Sequence, residues 1–496
     1  MLHIQSILSC FRPVMNSIDN KDKCKRWIAV YLGAVSCLLV PLYMKNGYIS
    51  LIYWKARAFL FLAVPAFVIA AIITASSLIF HNNADIKSLL KRPKTSHILL
   101  LMIGLWALFS TLLSTNPELS LMGTAGWSMG SLMIALLTAS TFFVSRYFEF
   151  RSYMLLPVIA VNAVIILFAV FQSAGVDFFG YLSQIDPEYI FTYLSTIGQK
   201  NCFSGYLCLL LPLFWGAFIS CKGRAAKLLY GGFSFLGFMG IIVAESDSFY
   251  AGIGICVPFM LLYIFRSEQH FKRAQVLLVM YGISILIVRY LPVFENKTKR
   301  YYHLSKIMLH SPVAEILIIA GVLLYLFGGK IISGKPGKYL LIAIEAGLLI
   351  SIVLYAAHTA AHFNDNWGTW RGRIWRVSWE QFLKFPLRNK IIGIGPEMLI
   401  TVYGELESTF GMKVVSSHCE PLQVLLTQGI IGFGLYFIYW GYIIKLFFIE
   451  KLWTKNTAVF FFPLAAYLGQ SVFCSVYPVT AVLFSFLSGI YLRSSE

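Results

Sequence analysis

Charge is scarce in this chain. Only 12% of its residues are Asp, Glu, Lys or Arg, where a soluble domain carries roughly 25%. That shortage excludes an ordinary water-soluble globule. Cysteine gives no framework either. The nine (Cys10, Cys24, Cys37, Cys202, Cys208, Cys221, Cys256, Cys419, Cys474) are scattered, mostly in apolar runs, with no C-x-x-C pair and no disulfide spacing. They read as small core side chains. There is no Gly/Ser-rich or Pro-rich linker and no repeat of fixed period. No short leader with a small-residue cleavage site precedes Trp27–Met44, which therefore reads as a retained first span.

What the chain has instead is hydrophobic length. Hydrophobic residues make up 58% of it and aromatics 16%, with a mean hydropathy of +0.74. Apolar runs fall near 27–44, 58–80, 97–113, 129–145, 153–172, 203–221, 228–244, 249–265, 275–292, 313–329, 339–356, 422–444, 457–473 and 479–492. Their lengths suit a bilayer. The expected fold is an all-α membrane protein of about 12–14 transmembrane helices. It has a basic tail at 1–26, a polytopic domain at 27–496, and one long loop, 357–421, before the third-last helix, holding short amphipathic helices.

The formal charge of +18 does not read as a nucleic-acid face, because membrane proteins gather Lys and Arg in cytoplasmic loops. With the N-terminus inside, 24 of the 40 basic residues fall on the cytoplasmic side. Twelve of the others sit in two outer segments, Arg289–Lys306 and Arg371–Lys413. Both termini are then cytoplasmic, and the long loop faces outward.

That loop is not a plain spacer. It holds Trp367, Trp370, Trp375 and Trp379, and positions 375, 379, 382 and 383 share one helical face, which predicts a helix lying in the interface. Phe385-Pro386 stops it, and Gly393-x-Gly395-Pro396 makes a tight turn. Arg371, Arg373 and Arg376 stand at its start. Guanidinium groups grip phosphates bidentately, so these three suit a lipid-linked phosphate; pairing with anionic headgroups or with Glu380 is the plainer reading. His418 precedes a helix beginning near Pro421. A histidine that titrates near neutrality can act as a general base, although a lone histidine is more often an interface group. A thiolate role for Cys419 has no specific support. His358 and His362, with Asp365, are spaced like metal ligands but lack the glutamate of a zincin motif, so no metal is expected.

Other polar residues cluster beside the outer helix ends. Gln199, Lys200 and Asn201 precede the 203–221 run and offer donors to an anion, or simply cap the helix. Asp247, in Glu245-Ser246-Asp247-Ser248, suits an acceptor sugar or a cap. Lys297, Lys299, Arg300 and Lys306 form a second basic patch, and Asn296-Lys297-Thr298 matches a glycosylation sequon.

Four segments together resemble the O-antigen ligase and O-antigen polymerase family of bacterial membrane glycosyltransferases. Residues 105–130 look like its early helix, polar turn and glycine segment. "LSTIGQKNCFSGYLCLLLPL" (194–213) is similar to its G-N-x-N motif, with Gln199 at one Asn. "RGRIWRVSWEQFLKFPLRNKIIGIGPEML" (371–399) is similar to its R-G-x-x-W … P-x-x-G-x-G-P block. "SSHCEPLQVLLTQGIIGFGLYF" (416–437) is similar to its A-H-N-E-x-L-Q … G-x-x-G block, with Cys419 in place of Asn. The resemblance implies a metal-independent glycosyltransferase, needing no cofactor, in the bacterial cytoplasmic membrane. It would act on polyprenyl-diphosphate-linked saccharides for surface polysaccharide biosynthesis. The acceptor would be a glycan or a lipid-linked glycan; membrane lipids and polysaccharide assembly proteins are the other expected partners. It implies that His418 deprotonates or orients the acceptor hydroxyl, Arg371 and then Arg373 neutralise the departing diphosphate, and Glu420 orients His418. Arg376, Gln199, Lys200, Asn201, Asp247, Lys297 and Arg300 are the candidate binding residues. The family's Ser-Arg pair after the seventh helix is absent, with Asp247-Ser248 in its place, so Lys200 or the Lys297–Arg300 patch would substitute. A polysaccharide flippase and a non-catalytic subunit of an assembly complex are the alternatives.

Overall fold

A helix that is apolar on every side belongs either in lipid or in the middle of the protein. Lys200–Ser220 takes the second place: in the structure, a computed structural model, it is buried along nearly its whole length. The structure describes residues 18–80, 94–124, 126–294, 303–332, 334–411, 413–449 and 457–495.

In chain order the helices are α1 (Ile18–Ala34, running on through a π turn, Val35–Leu39, to Leu42), α2 (Leu51–Phe80), α3 (Thr95–Leu112), α4 (Pro117–Met122), α5 (Ser131–Tyr147) and α6 (Leu155–Ser173). A two-stranded antiparallel hairpin, β1 (Tyr193–Leu194) with β2 (Gly198–Gln199), leads into the central helix α7 (Lys200–Ser220). There follow α8 (Arg224–Ala244), α9 (Asp247–Ile264), α10 (Glu268–Tyr290), α11 (His303–His310), α12 (Val313–Ile332) and α13 (Lys335–Ala361). The polar loop carries α14 (Trp367–Lys384), α15 (Leu387–Ile392) and α16 (Gly404–Phe410), and the chain ends with α17 (Glu420–Phe447), α18 (Phe461–Ser471) and α19 (Pro478–Ser495).

Every one of the fourteen apolar runs is helical. Among the described residues, ten helices of at least 18 residues are apolar enough to cross a membrane, or eleven if the pair Leu304–His310 and Val313–Gly329, bent by 73°, counts as one. The runs at 129–145 and 457–473 become the shorter helices α5 and α18. The run at 479–492 lies in α19, whose residues up to Leu492 are nearly all buried. The chain is accordingly a multi-pass, all-helical membrane protein. Its first helix begins at Ile18, inside the expected basic tail, because the Asp- and Lys-rich stretch continues the helix.

Helix packing is close where side chains vanish. Gly252 of α9 and Gly469 of α18 face each other: a Cβ on Gly469 would lie 2.7 Å from the Ala251 carbonyl oxygen and 3.0 Å from the Gly252 Cα. Small residues of this kind let membrane helices approach backbone to backbone. Substituting Gly469→Leu must push the two helices apart, and overpacking of this kind costs about 1–3 kcal/mol. A lowered thermal midpoint in detergent is expected. Gly254→Leu, on the same helix α9 with open space around it, should leave the midpoint unchanged; equal behaviour of the two variants would refute the contact.

Candidate functional site

The site is built around a broken helix. Within α17, Gly429 takes φ 68° and ψ −171°, a conformation open essentially to glycine alone. The break frees carbonyls, and each finds a donor. Leu426 C=O accepts from Ile394 N–H at 3.2 Å, and Thr427 C=O from Gly395 N–H at 2.9 Å. Ser110 Oγ also donates to Thr427 C=O at 3.0 Å, and Trp106 Nε1 to Gln428 C=O at 2.8 Å. A Cβ on Gly393 would sit 2.2 Å from the Thr427 oxygen. The Gly393–Pro396 turn and the Gln428-Gly429 break are thus two halves of one joint.

That joint holds the N-terminal turns of α17. Cys419 caps the helix in extended geometry, and His418 before it is left-handed at φ 51°. The backbone of His418 donates to Ser416 Oγ at 3.2 Å, and His418 Nδ1 lies 3.3 Å from Ser475 Oγ. Ser475 and Ser416 are 2.5 Å apart, and Ser416 Oγ donates to Gln423 Oε1 at 2.8 Å. An amide oxygen can only accept. The Ser416 hydroxyl proton therefore points at Gln423, the Ser475 proton at Ser416, and the imidazole Nδ1–H at Ser475. Nε2 is left with a bare lone pair and no partner among the described residues. Sequence reasoning gave the orienting role to Glu420. The structure corrects this: Glu420 accepts from Tyr467 O–H at 3.0 Å, because its place in the first turn of α17 turns it toward α18.

Ser475 belongs to a connector between α18 and α19 that gathers the rest of the site. Phe473 C=O accepts from Arg371 Nε at 3.0 Å. Tyr477 donates its hydroxyl to Gln199 Oε1 at 3.0 Å and stacks on Trp127, whose edge meets His418 at 6.2 Å. Arg371, Gln199 and His418, far apart in sequence, thus share one five-residue segment. Burial, and after it the nearby Arg371 charge, push His418 down to about 4. The imidazole is therefore neutral across the physiological range. Burial drives Cys419 the other way, up to about 11, so it is a thiol and not a nucleophilic thiolate.

The three loop arginines part company. Gly368, Thr369 and Trp370 are all left-handed, so regular helix begins at Arg371, whose Nη1 donates to Gly368 C=O at 2.6 Å. Neither Arg371 nor Arg373 forms an ion pair among the described residues, although the Arg373 charge acts on Asp365, and Arg373 Nε is buried without a hydrogen-bond partner. Arg376 is spoken for: Nε and Nη2 grip Asp365 at 2.9 Å each, and Nη1 grips Glu380 at 2.9 Å. The Arg376 guanidinium holds Asp365 below the usual carboxylate range. Arg376 is a brace for the helix start, not an open phosphate donor. α14 buries a second face against the loop core, beside the one expected to lie in the membrane interface. Ile374, Val377, Ser378 and Phe382 turn inward, with Ser378 Oγ 2.6 Å from Tyr403 Oη, while Trp379 and Leu383 are exposed.

Lys200 opens α7 in a largely buried 2.6 Å ion pair with Glu245, so it is not a free substitute for a missing arginine. Asn201 Oδ1 accepts from Ser246 Oγ at 2.8 Å. Asp247 is exposed in the first turn of α9, where an acid favours the helix dipole. Lys297 and Arg300, with the sequon, lie outside the described residues. His358 and His362 stack with rings 4.2 Å apart, and no cluster of three metal-ligating side chains forms among the described residues.

Sequence reasoning missed Ser475, Tyr477, Trp127 and Glu397. Glu397, left-handed at φ 61° and 2% exposed, takes the Thr124 N–H at 3.3 Å and its hydroxyl at 2.7 Å. Burial pushes it up to about 7. It shares with Glu420 and Gln423 the lining of a cavity of about 190 Å³.

The hydrogen-bond chain predicts one tautomer. Nitrogen-15 NMR of histidine-labelled protein, assigned by difference against His418→Gln, should show a protonated Nδ1 and an unprotonated Nε2 for His418. Ser475→Ala should mix the two forms. The reverse pattern in the wild type would overturn the derived direction.

No family model matches this chain, and neither a curated protein nor a solved structure does.

Proposed function

We propose that this protein is a membrane glycosyltransferase that polymerises or ligates polyprenyl-diphosphate-linked saccharide units on the outer face of a bacterial cytoplasmic membrane. The observation that carries this reading is the meeting, on the Phe473–Tyr477 connector, of a neutral imidazole whose Nε2 has no partner among the described residues with Arg371, which forms no ion pair there; Arg373 follows two residues along α14. The basic-residue count supports the orientation, with both termini cytoplasmic and the site end outside.

In the proposed reaction His418 Nε2 takes the proton of an acceptor hydroxyl as its oxygen attacks the anomeric carbon of the donor. The bond from that carbon to the diphosphate oxygen breaks. Arg371 and Arg373 take up the charge that builds on the leaving diphosphate, where preorganised cations lower the barrier most. Arg371 has a second effect. After burial, its charge helps to hold His418 at low basicity, and a bound diphosphate neutralises that charge. The base therefore gains strength when the donor arrives.

Two outcomes test the reading. A chromosomal deletion should be complemented by wild type but not by His418→Ala or Arg371→Ala at equal membrane levels, with lipid-linked single units accumulating for a polymerase or unligated long chains for a ligase. Full rescue by both variants would move the flippase or assembly-subunit reading ahead. In proteoliposomes the acid limb of kcat/KM, which reports the free enzyme, should fall near pH 4, well below the ordinary histidine value of roughly 6.5. The kcat limb should lie at higher pH. Coincident limbs would exclude the donor-linked gain in basicity.

A further inference from the structure

A second cavity lies at the other end of the bundle. It has a volume of about 500 Å³ between α1, the start of α6, α7 and α19. Its depth is apolar, formed by Leu209, Leu210 and Leu213 of the central helix with Leu483, Phe486 and Ile490 of α19. Its mouth is charged. Arg26 lies 3.1 Å and Arg151 3.8 Å from the same Glu149 carboxylate, and exposed Lys23 has no carboxylate partner among the described residues. Three bases share one acid. Trp27 and Tyr153, 66% and 64% exposed, complete the rim with the amphipathic rings common at a membrane interface.

Shape and charge together select the occupant. A helix about 10 Å across would fill this volume in little more than one turn, so the occupant is thinner than a partner helix. An apolar depth under a net positive mouth fits an amphiphile with an anionic head, and basic pockets between membrane helices hold such headgroups. The cavity is not an extension of the His418 site. Pro41, which meets the β-hairpin side through Thr196 Oγ1 at 2.8 Å, is roughly 27 Å along α1 from Lys23 at 1.5 Å per residue. We propose that this cavity binds one anionic phospholipid, its acyl chain against α7 and α19 and its phosphate among Lys23, Arg26 and Arg151. The proposal stands independently of the proposed activity.

The test is native mass spectrometry of the full chain in detergent, after exchange with phosphatidylglycerol or phosphatidylcholine of matched acyl chains. The wild type should retain one phosphatidylglycerol in preference to phosphatidylcholine. Lys23→Gln with Arg151→Gln, both at the exposed mouth, should lower that preference about tenfold. Ala34→Phe, which fills the cavity, should abolish retention of both lipids. Equal retention of the two lipids by the wild type would overturn the proposal, and so would undiminished preference in the double variant. Should Ala34→Phe fail to fold, the double variant decides alone.

Discussion

A helix that stops bonding to itself inside a membrane domain must find donors elsewhere, because lipid offers none. The break at Gly429 meets that demand with two N–H groups from the Gly393–Pro396 turn and two side chains of α3. The polar loop is thereby fixed to the transmembrane bundle through backbone, whose geometry is stiffer than any side-chain contact. From that fixed point the first turns of α17 project His418 toward the connector before α19. The small apolar core under the loop, around Val377, Met398, Leu399, Tyr403 and Leu426, keeps α14 and its arginines on the same base.

Charge is distributed with equal economy. Where a cation has a structural task it is closed off: Lys55 is buried against the carbonyls of Val40, Pro41 and Tyr43, Arg289 against Glu315 and two carbonyls, and Arg376 against two acids. Arg371 donates to the carbonyls of Gly368 and Phe473, and Arg373 forms no ion pair among the described residues, although its charge acts on Asp365. Half-buried cations without a paired acid oppose folding and leave the site ready for an anion. Burial first, and the Arg371 charge after it, keep the histidine neutral.

Much of the fold was legible because apolar length writes itself plainly into sequence. Every run became a helix, and Pro396, Pro421 and the motif glycines marked real turns and starts. What was not legible is proximity. Ser475 meets His418 across 57 residues, Phe473 meets Arg371 across 102, and Tyr477 meets Gln199 across 278. The connector itself is a few small and aromatic residues with no motif. Lys200 was read as a donor for an anion because its acid, Glu245, is distant in sequence; for Arg376 the pair with Glu380 was foreseen, but not the grip on Asp365 across a left-handed turn. The inward face of α14, with Ile374 and Val377, was not legible because the tryptophans marked only the face turned to the interface.

Among the described residues, the non-glycine residues with left-handed backbone are Ser50, Ser128, Ser195, Glu245, Thr369, Trp370, Glu397 and His418. All eight lie at the end of the bundle that carries the broken-helix joint. The opposite end, with its lipid-sized cavity, has none among the described residues. Each such residue stores about 1–3 kcal/mol, so the protein is mechanically polarised: one end rests at its backbone minima, and the other is held away from them by everything packed beneath it. Evolution at the strained end is therefore limited first by dihedral angle and only then by chemistry, and replacement there must satisfy the torsion before it can alter the reaction.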